Sequence, residues 1–298
     1  MKKKKIKSYD GKALQCYIFE CEKPKAIVQI AHGMQEYSNN YFEFCQFLCD
    51  HGYLVFIFDE RAHGHTAGFQ NVGRVEEGDV FFQTVCDHLF FSKKLKKDYS
   101  NQNENLKLYF FSHSYGSFIG QSYLQQNPCC DKAVLMGSCY MKKPIVRIGK
   151  AVANLTCFFK GKDAEAKMIE NLSFNTYKKK FKTGSWITTS DDETKKFYLD
   201  EFNGTPFSAG FYKFLFKNQL KLYKNLDLID KNLPILIISG KDDVIGDMGK
   251  GTKKLYDVYI KHGLSARLKL YENKRHALLI EQNKAEIFKF LLDFFDEN

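Results

Sequence analysis

The sequence predicts an α/β protein whose mostly parallel central sheet is flanked by helices. Short apolar runs of strand character recur along the chain, and segments with apolar residues at helical spacing separate them. The chain has 298 residues, of which 44% are hydrophobic, so it can bury a substantial core. That length suits one α/β domain that carries an insertion.

The first element is predicted to be a hairpin. Two strand-like runs, residues 4–10 and 13–21, meet at the dipeptide Asp10-Gly11, which is typical of a tight turn. Apolar runs bounded by turn residues then predict strands at 26–31, 53–59, 106–112, 132–137, 234–239 and 266–272. Helical spacing predicts helices over 41–52, 75–97, 115–128, 248–263 and 286–298, the last of them amphipathic.

The alternation of strands and helices stops between residues 140 and 231. This stretch has no strong strand, whereas Lys-, Phe- and Tyr-rich segments within it have helical character. A structureless loop of that length is uncommon inside a compact domain, so we expect an inserted helical cap, or lid. The predicted division is a core domain of residues 1–139 and 232–298, with a cap of residues 140–231.

The segment 106–116 carries the strongest functional signal. An apolar strand ends at Ser114, and the residues two positions before and after it, Ser112 and Gly116, are small. In a GxSxG turn the serine lies in strained backbone between strand and helix, and its neighbours must be small because strand and helix approach closely. The pattern indicates a nucleophile. From these residues alone, a serine that merely ends a buried strand is the alternative.

A nucleophilic serine needs a general base and a group that orients the base. The strand at 234–239 leads into an acidic loop with Asp242 and Asp243, and the strand at 266–272 leads into a loop with His276. The order serine, acid, histidine is one of the known triad orders along a chain.

Donors for the oxyanion are the remaining requirement. The strand at 26–31 closes in the turn His32–Met34, and a turn of this kind can direct a backbone N–H toward a carbonyl oxygen.

Together these segments resemble the α/β-hydrolase superfamily, specifically its monoacylglycerol lipase and lysophospholipase branch. Five motifs of that branch occur in the right order, and the resemblance covers nearly the whole chain. The motifs are HGMQEYSNNY (32–41), DERAHGHTAG (59–68), SHSYG (112–116), GKDDVIGDMGKG (240–251) and KRHALLIE (274–281).

The resemblance implies a role for each candidate. Ser114 is the implied nucleophile, His276 the base and Asp243 the orienting acid, because the family places its acid three residues after the glycine that ends the strand. The backbone amides of Met34 and Tyr115 are the implied oxyanion hole. The chain departs from the motifs without losing a catalytic atom, at Ser112 for Gly, Tyr37 for His, Asn40 for Arg, Ala62 for Gly and Val244 for Pro.

The predicted activity is hydrolysis of carboxylic esters with an apolar acyl chain through an acyl-enzyme, of the monoacylglycerol lipase, lysophospholipase or carboxylesterase type. No metal or other cofactor is expected, because no carboxylate or cysteine cluster completes the pair His63 and His65. A thioesterase, acyltransferase or peptidase on the same fold stays open, and so does a catalytically silent binding protein. In the resembling family a lid shapes the acyl pocket. The candidate lining residues in the cap are Phe158, Phe159, Phe207, Phe211 and Phe214.

The composition bounds the partners and the location. The net charge of +10 favours transient contact with an anionic lipid surface, whereas lysines spread over many segments without a nucleic-acid motif argue against nucleic acid. No apolar run reaches 18 residues, so no transmembrane helix is expected. The basic N-terminus has no apolar region behind it and is not a secretory signal, so a cytoplasmic location is expected. Nine scattered cysteines fit no disulfide framework. The oligomeric state is not indicated.

Overall fold

The computed structural model describes residues 1–100, 105–171, 181 and 185–297. Its strands are β1 (Lys2–Lys7), β2 (Ala13–Phe19), β3 (Ala26–Ala31), β4 (Leu54–Phe58), β5 (Lys107–His113), β6 (Lys132–Met136), β7 (Ile235–Gly240) and β8 (Ala266–Tyr271). They form one sheet in the order β1-β2-β4-β3-β5-β6-β7-β8.

The sheet is antiparallel only at its N-terminal end. β1 pairs antiparallel with β2, and β2 with β4, whereas the pairs from β4 through β3 to β8 are parallel. The strands β3, β4, β6 and β7 are buried along their whole length, which explains why they are mainly apolar in the sequence. The edge strand β8 is partly exposed at alternate positions instead. The predicted α/β fold with a mostly parallel sheet is confirmed.

Helices cover both faces of the sheet. In the described part of the chain the helices of nine residues or more are α1 (Phe42–Asp50), α2 (Val80–Asp98), α3 (Tyr115–Leu124), α4 (Lys143–Lys160), α5 (Asp191–Leu199), α6 (Ala209–Gln219), α7 (Lys250–Lys261) and α8 (Lys284–Asp296). On one face α2, α3 and α7 share a core cluster with Phe110, and on the other α1 and α8 share a cluster with Phe111. These adjacent residues of β5 therefore serve opposite faces, as strand geometry requires.

The predicted helix over 75–97 begins five residues late, at Val80. Gly78 has a φ of 72°, a backbone conformation that interrupts a helix, and the Asp79 side chain then caps α2 by accepting from the N–H of Phe82. The predicted helix over 115–128 ends at Leu124.

Residues between β6 and β7 are largely helical in their described part. They contain α4, α5, α6 and the short helix Lys167–Glu170, and one isolated bridge between Glu165 and Ser208. The division into a core and a cap stays a prediction, and we keep the name cap for residues 140–231. No helix in the described segments combines the length and the apolar character needed to cross a membrane. All nine cysteines are unpaired.

Candidate active site

Ser114 lies at a sharp turn between β5 and α3. Its φ of 54° and ψ of −119° lie outside the helical and extended regions, a conformation that costs on the order of 1–3 kcal/mol for a residue other than glycine. The turn is possible because Gly116 has no side chain. A Cβ there would overlap the carbonyl oxygens of Ala31 and His32, so the start of α3 lies directly against the end of β3.

Ser112 occupies the position where the GxSxG motif has its first glycine. Its side chain is fully buried, and its Oγ donates to the carbonyl oxygen of Val134 on β6 at 2.8 Å. The hydroxyl has room because residue 120, on the facing side of α3, is glycine. A Cβ at Gly120 would lie 2.7 Å from that Oγ.

The structure brings Ser114, His276 and Asp243 together at the carboxyl edge of the sheet. His276 Nε2 lies 2.8 Å from Ser114 Oγ, and His276 Nδ1 lies 3.0 Å from Asp243 Oδ1. Each residue follows a different parallel strand, β5, β8 and β7 respectively, and such strands end at the same edge of the sheet. A nucleophile, a base and an orienting carboxylate thus lie within hydrogen-bonding reach of one another.

Asp243, rather than its neighbour Asp242, faces the histidine. Its Oδ2 accepts from Ser239 Oγ at 2.8 Å, and its Oδ1 accepts from the N–H of Ile245 at 2.9 Å. Burial acts to raise the pKa of Asp243, but the neighbouring His276 and the hydrogen bond from Ser239 outweigh it and hold the pKa below its usual value. Asp243 is therefore a carboxylate. Asp242 is partly exposed, and its backbone N–H donates to the carbonyl oxygen of Lys274.

The two amides predicted for the oxyanion hole lie beside the serine. Tyr115 is the first residue of α3, so its N–H has no acceptor within the helix. The turn His32–Met34 lies next to Ser114, as shown by the distance of 3.2 Å that a Cβ at Gly33 would have to Ser114 Cβ. Met34 and Tyr115 both line the cavity at Ser114.

Glu36 is a buried residue of this site whose role the sequence does not indicate, although it lies within the motif at residues 32–41. Its Oε1 accepts from the N–H of Gly33 at 2.6 Å and from Tyr41 OH at 2.5 Å, and it lies 3.2 Å from His113 Nδ1. Burial acts to raise the pKa of Glu36, but the contacts with His113 and Tyr41 lower it to a net value below the usual one. The ionised Glu36 fixes the backbone of the turn that precedes Met34.

The cavity beside Ser114 is small and mainly apolar. Its volume is about 110 Å³. Its apolar walls come from the core and the cap together, through Met34, Phe118, Trp186, Ile187, Phe197, Tyr198, Leu215, Ile245 and Ala277. Trp186 is the only tryptophan of the chain, and its ring centroid lies 5.4 Å from that of His276. A lone tryptophan in the cap was the one sequence signal that could have indicated this wall.

None of the five cap phenylalanines proposed for an acyl channel lines this cavity. Phe158 and Phe159 are 81% and 74% exposed at the C-terminal end of α4. Phe207 and Phe211 are fully buried and anchor the cap against His63 and Tyr115 of the core. Phe214 lines an outer groove of the cap instead. The sequence shows that these residues are apolar but not which side of a cap helix they face.

A larger cavity, of about 370 Å³, lies beside Arg61. Asp87 and Asp10 neutralise the guanidinium there, and the residues that line the cavity include no serine, cysteine or histidine. The chemistry therefore places the candidate active site at the smaller cavity.

A second polar cluster lies within the core. His32, Glu60 and His63 hold ligand-type atoms within 4.8 Å of one another. However, His32 Nε2 accepts from the N–H of Glu60 at 2.9 Å, and His32 Nδ1 lies 2.8 Å from the carbonyl oxygen of Gly33. Both nitrogens of His32 are thus engaged, which leaves too few ligands for a metal ion. Burial lowers the pKa of both histidines below the usual value and raises the pKa of Glu60 above its usual value.

Comparison with known proteins places the chain among hydrolases. Residues 22–283 match the family described as serine aminopeptidase, S33. A monoglyceride lipase homolog of monkeypox virus is 26% identical over 265 residues, which cover 88% of this chain and 86% of that protein. The monoglyceride lipase of Saccharomyces cerevisiae is 26% identical over 84% of this chain and 77% of its own length. A carboxyl esterase from Bacillus coagulans has the same fold, with a TM-score of 0.86 at 21% identity over 99% of this chain and 97% of its own.

Proposed function

This chain belongs to the S33 serine aminopeptidase family of α/β hydrolases and is a serine ester hydrolase, and we propose that it cleaves carboxylic esters with an apolar acyl chain through Ser114, His276 and Asp243. The observation that carries the proposal is the continuous chain of contacts from Ser114 Oγ through both nitrogens of His276 to the Asp243 carboxylate.

In the first half of the reaction, Ser114 Oγ attacks the ester carbonyl carbon while His276 Nε2 takes the hydroxyl proton. Asp243 accepts from the Nδ1–H of His276, which fixes the tautomer and stabilises the imidazolium. The negative charge that develops on the carbonyl oxygen faces the N–H groups of Met34 and Tyr115. When the C–O bond breaks, His276 returns the proton to the leaving alcohol, and the acyl group stays on Ser114.

In the second half, His276 removes a proton from water, which attacks the acyl-enzyme. The same two amides hold the second oxyanion, and the proton returns to Ser114 Oγ as the acid leaves. No step requires a metal ion or a cofactor, so incubation with EDTA should leave the rate unchanged.

The walls of the cavity favour an ester over an aminopeptidase substrate. An aminopeptidase has to hold the cationic amino terminus of a peptide, which calls for a free carboxylate near the serine. Among the described lining residues Glu36 is the only carboxylate, and it is engaged by Gly33, Tyr41 and His113. An apolar acyl chain fits these walls better, because each buried methylene contributes about 0.8 kcal/mol.

A fluorophosphonate probe tests the assignment directly. The wild-type chain should be labelled, and Ser114→Ala should abolish both labelling and p-nitrophenyl ester hydrolysis, with kcat lower by on the order of 10⁶. Ser117→Ala is the matched control, because the Ser117 hydroxyl donates to the Ser114 carbonyl oxygen in the same turn, whereas the partner of His276 Nε2 is Ser114 Oγ. A wild-type chain that neither labels nor turns over any ester would favour the silent binding protein.

The natural substrate is best sought among single-chain lipid esters. A series of p-nitrophenyl esters from acetate to decanoate, run beside monoacylglycerol and lysophosphatidylcholine, should show kcat/KM rising with chain length until the cavity is filled. A flat profile would contradict an apolar acyl pocket.

Transient contact with an anionic lipid surface fits the outer face of α4. That face exposes the apolar side chains Ile145, Ile148, Leu155, Phe158 and Phe159, and the same helix carries the cations Lys143, Arg147, Lys150 and Lys160. Sedimentation with vesicles containing phosphatidylserine should exceed that with pure phosphatidylcholine. The double variant Phe158→Ser, Phe159→Ser should bind the phosphatidylserine vesicles more weakly than wild type, because it loses apolar area at the surface. Equal binding to both vesicles would contradict the contact. A cytoplasmic location stays a prediction, which cell fractionation would test.

A further inference from the structure

The segment that follows the oxyanion turn is tied to the cap by three hydrogen bonds. The N–H of Gly204 donates to the carbonyl oxygen of Gln35 at 2.8 Å, and Gln35 Nε2 donates to Glu170 Oε1 at 3.2 Å. Two residues further on, Tyr37 OH donates to Asp200 Oδ2 at 2.8 Å. Each contact joins one side of the active site to a residue more than 130 positions away in the sequence.

Gln35 needs such support because of its backbone conformation. Its φ of 61° lies in the left-handed region, which is unfavourable for a residue with a side chain and persists where the surroundings hold it. On the N-terminal side, Glu36 fixes the N–H of Gly33. The Met34 amide therefore lies between one anchor in the core and one in the cap.

Tyr37 stands where the family's motif at residues 32–41 has a histidine, and its phenol makes a contact with the cap. Its ring packs against Phe202 of the cap at a centroid distance of 5.2 Å, while its hydroxyl reaches Asp200. Glu170 is similarly fixed, because Oε1 also accepts from the N–H of Phe207 at 3.0 Å.

From this arrangement we propose that Tyr37 and Glu170 are positioning residues through which the cap holds the Met34 N–H in place for the oxyanion. The proposal rests on the proposed function, because it takes Met34 as an oxyanion donor. It follows that the cap contributes to kcat as well as to substrate binding.

Three variants and one control test the proposal in the full-length chain. Tyr37→Phe removes the hydroxyl but keeps the ring, Glu170→Ala removes the acceptor, and Glu170→Gln restores a side-chain carbonyl oxygen at the same position. The control is Asn218→Ala, because Asn218 Nδ2 donates to Asp79 Oδ1 at 2.8 Å and so joins cap and core away from the oxyanion turn.

For each variant, kcat and KM are measured with a p-nitrophenyl ester, and the thermal midpoint is measured alongside. A second assay compares the Ki of an alkyl trifluoromethyl ketone, which adds to the serine to form an oxyanion, with that of the corresponding alkyl ether, which forms none. Loss of oxyanion stabilisation raises only the first Ki, whereas a damaged acyl pocket raises both.

We expect Tyr37→Phe and Glu170→Ala each to lower kcat about tenfold with KM within about twofold, since displacing an oxyanion donor costs less than the 10²–10³ of removing one. The Ki of the ketone should rise in parallel, and Glu170→Gln should recover most of the loss. Variants that match Asn218→Ala in kcat and in ketone Ki would overturn the proposal. If the wild type is labelled by fluorophosphonate but the variants keep the kcat and ketone Ki of Asn218→Ala, only this inference is refuted. If the wild type is not labelled, the proposed function itself is refuted.

Discussion

The packing of Ser112 against Gly120 predicts a strong energetic coupling at the nucleophile turn. A Cβ at Gly120 would lie 2.7 Å from Ser112 Oγ and 3.0 Å from Leu135 Cδ2. Ser112 cannot turn away without losing its hydrogen bond to Val134, which is worth about 1 kcal/mol. Overpacking of this kind costs about 1–3 kcal/mol, whereas alanine gains about 1 kcal/mol over glycine in a helix. Gly120→Ala should therefore lower the free energy of unfolding by up to about 2 kcal/mol.

The same substitution should have the opposite sign in a Ser112→Gly background. Ser112→Gly alone should cost about 1–2 kcal/mol, because it removes the bond to Val134 and places glycine in a strand. It also removes the obstructing hydroxyl, so adding Gly120→Ala to it should recover up to about 1 kcal/mol of helix propensity. The coupling between the two sites should then be about 2 kcal/mol in favour of the double variant.

Urea unfolding of the wild type, the two single variants and the double variant measures this coupling as a double-mutant cycle. Gly149→Ala is a useful contrast, because its Cβ would meet the ring of Phe216 in the cap, and Ser112→Gly should not rescue it. If the two costs at 112 and 120 add to within about 0.5 kcal/mol, then Ser112 is not accommodated by Gly120 and the reasoning is wrong.

Three further predictions concern the site. Asp243→Asn should lower kcat for a p-nitrophenyl ester by about 10⁴, because His276 loses its orienting carboxylate. The control Asp242→Asn should keep kcat within about tenfold of wild type. The reverse result would assign the role of orienting acid to Asp242. Glu36→Gln should lower the free energy of unfolding at pH 7, and the difference from wild type should shrink as the pH falls below 4.5. The reason is that a group with a depressed folded pKa loses its stabilising contribution as the pH falls through that pKa. A difference in urea unfolding at pH 4 equal to that at pH 7 would contradict this prediction. Trp186→Ala should enlarge the cavity and shift the preference to esters with longer acyl chains. Each further buried methylene should raise kcat/KM about fourfold. An unchanged dependence of kcat/KM on chain length would contradict the assignment of Trp186 to the cavity wall.

The meeting of Ser114, Asp243 and His276 at one edge of the sheet could be predicted from the sequence, because the signals for it are local. Ser114, Asp243 and His276 each follow a recognisable apolar strand, and parallel strands deliver such residues to a single edge of the sheet. The distances between them depend on the order of the strands in the sheet. In the structure β5, β6, β7 and β8 are consecutive parallel neighbours, so the loops that follow β5, β7 and β8 lie close together. The ends of helices were harder, because Gly78 and Asp79 decide where α2 begins and an apolar pattern alone does not show this.

The walls of the cavity beside Ser114 could not be predicted in the same way, because they are set by how the cap helices lie on the core. α6 directs Phe211 into the interface with Tyr115, whereas Leu215, one turn further along the same helix, reaches the cavity. Both residues are apolar and both lie on one helix. Only the packing distinguishes an anchor from a wall residue.

The cavity wall at Ile187 and the loop that carries His276 are joined by hydrogen bonds. The N–H of Ala277, next to His276, donates to the carbonyl oxygen of Ile187 at 2.8 Å, and Thr188 Oγ1 donates to the carbonyl oxygen of Ile280 at 3.0 Å. Ile187 in turn lines the cavity beside Trp186. A substitution that reshapes this wall therefore also affects the segment 187–188, whose hydrogen bonds support the loop that carries His276. The other side of the cap holds Gln35 beside the turn His32–Met34. Under the proposed function, substrate range and catalytic rate therefore depend on the same contacts, and variants selected for a new acyl chain should change kcat together with KM.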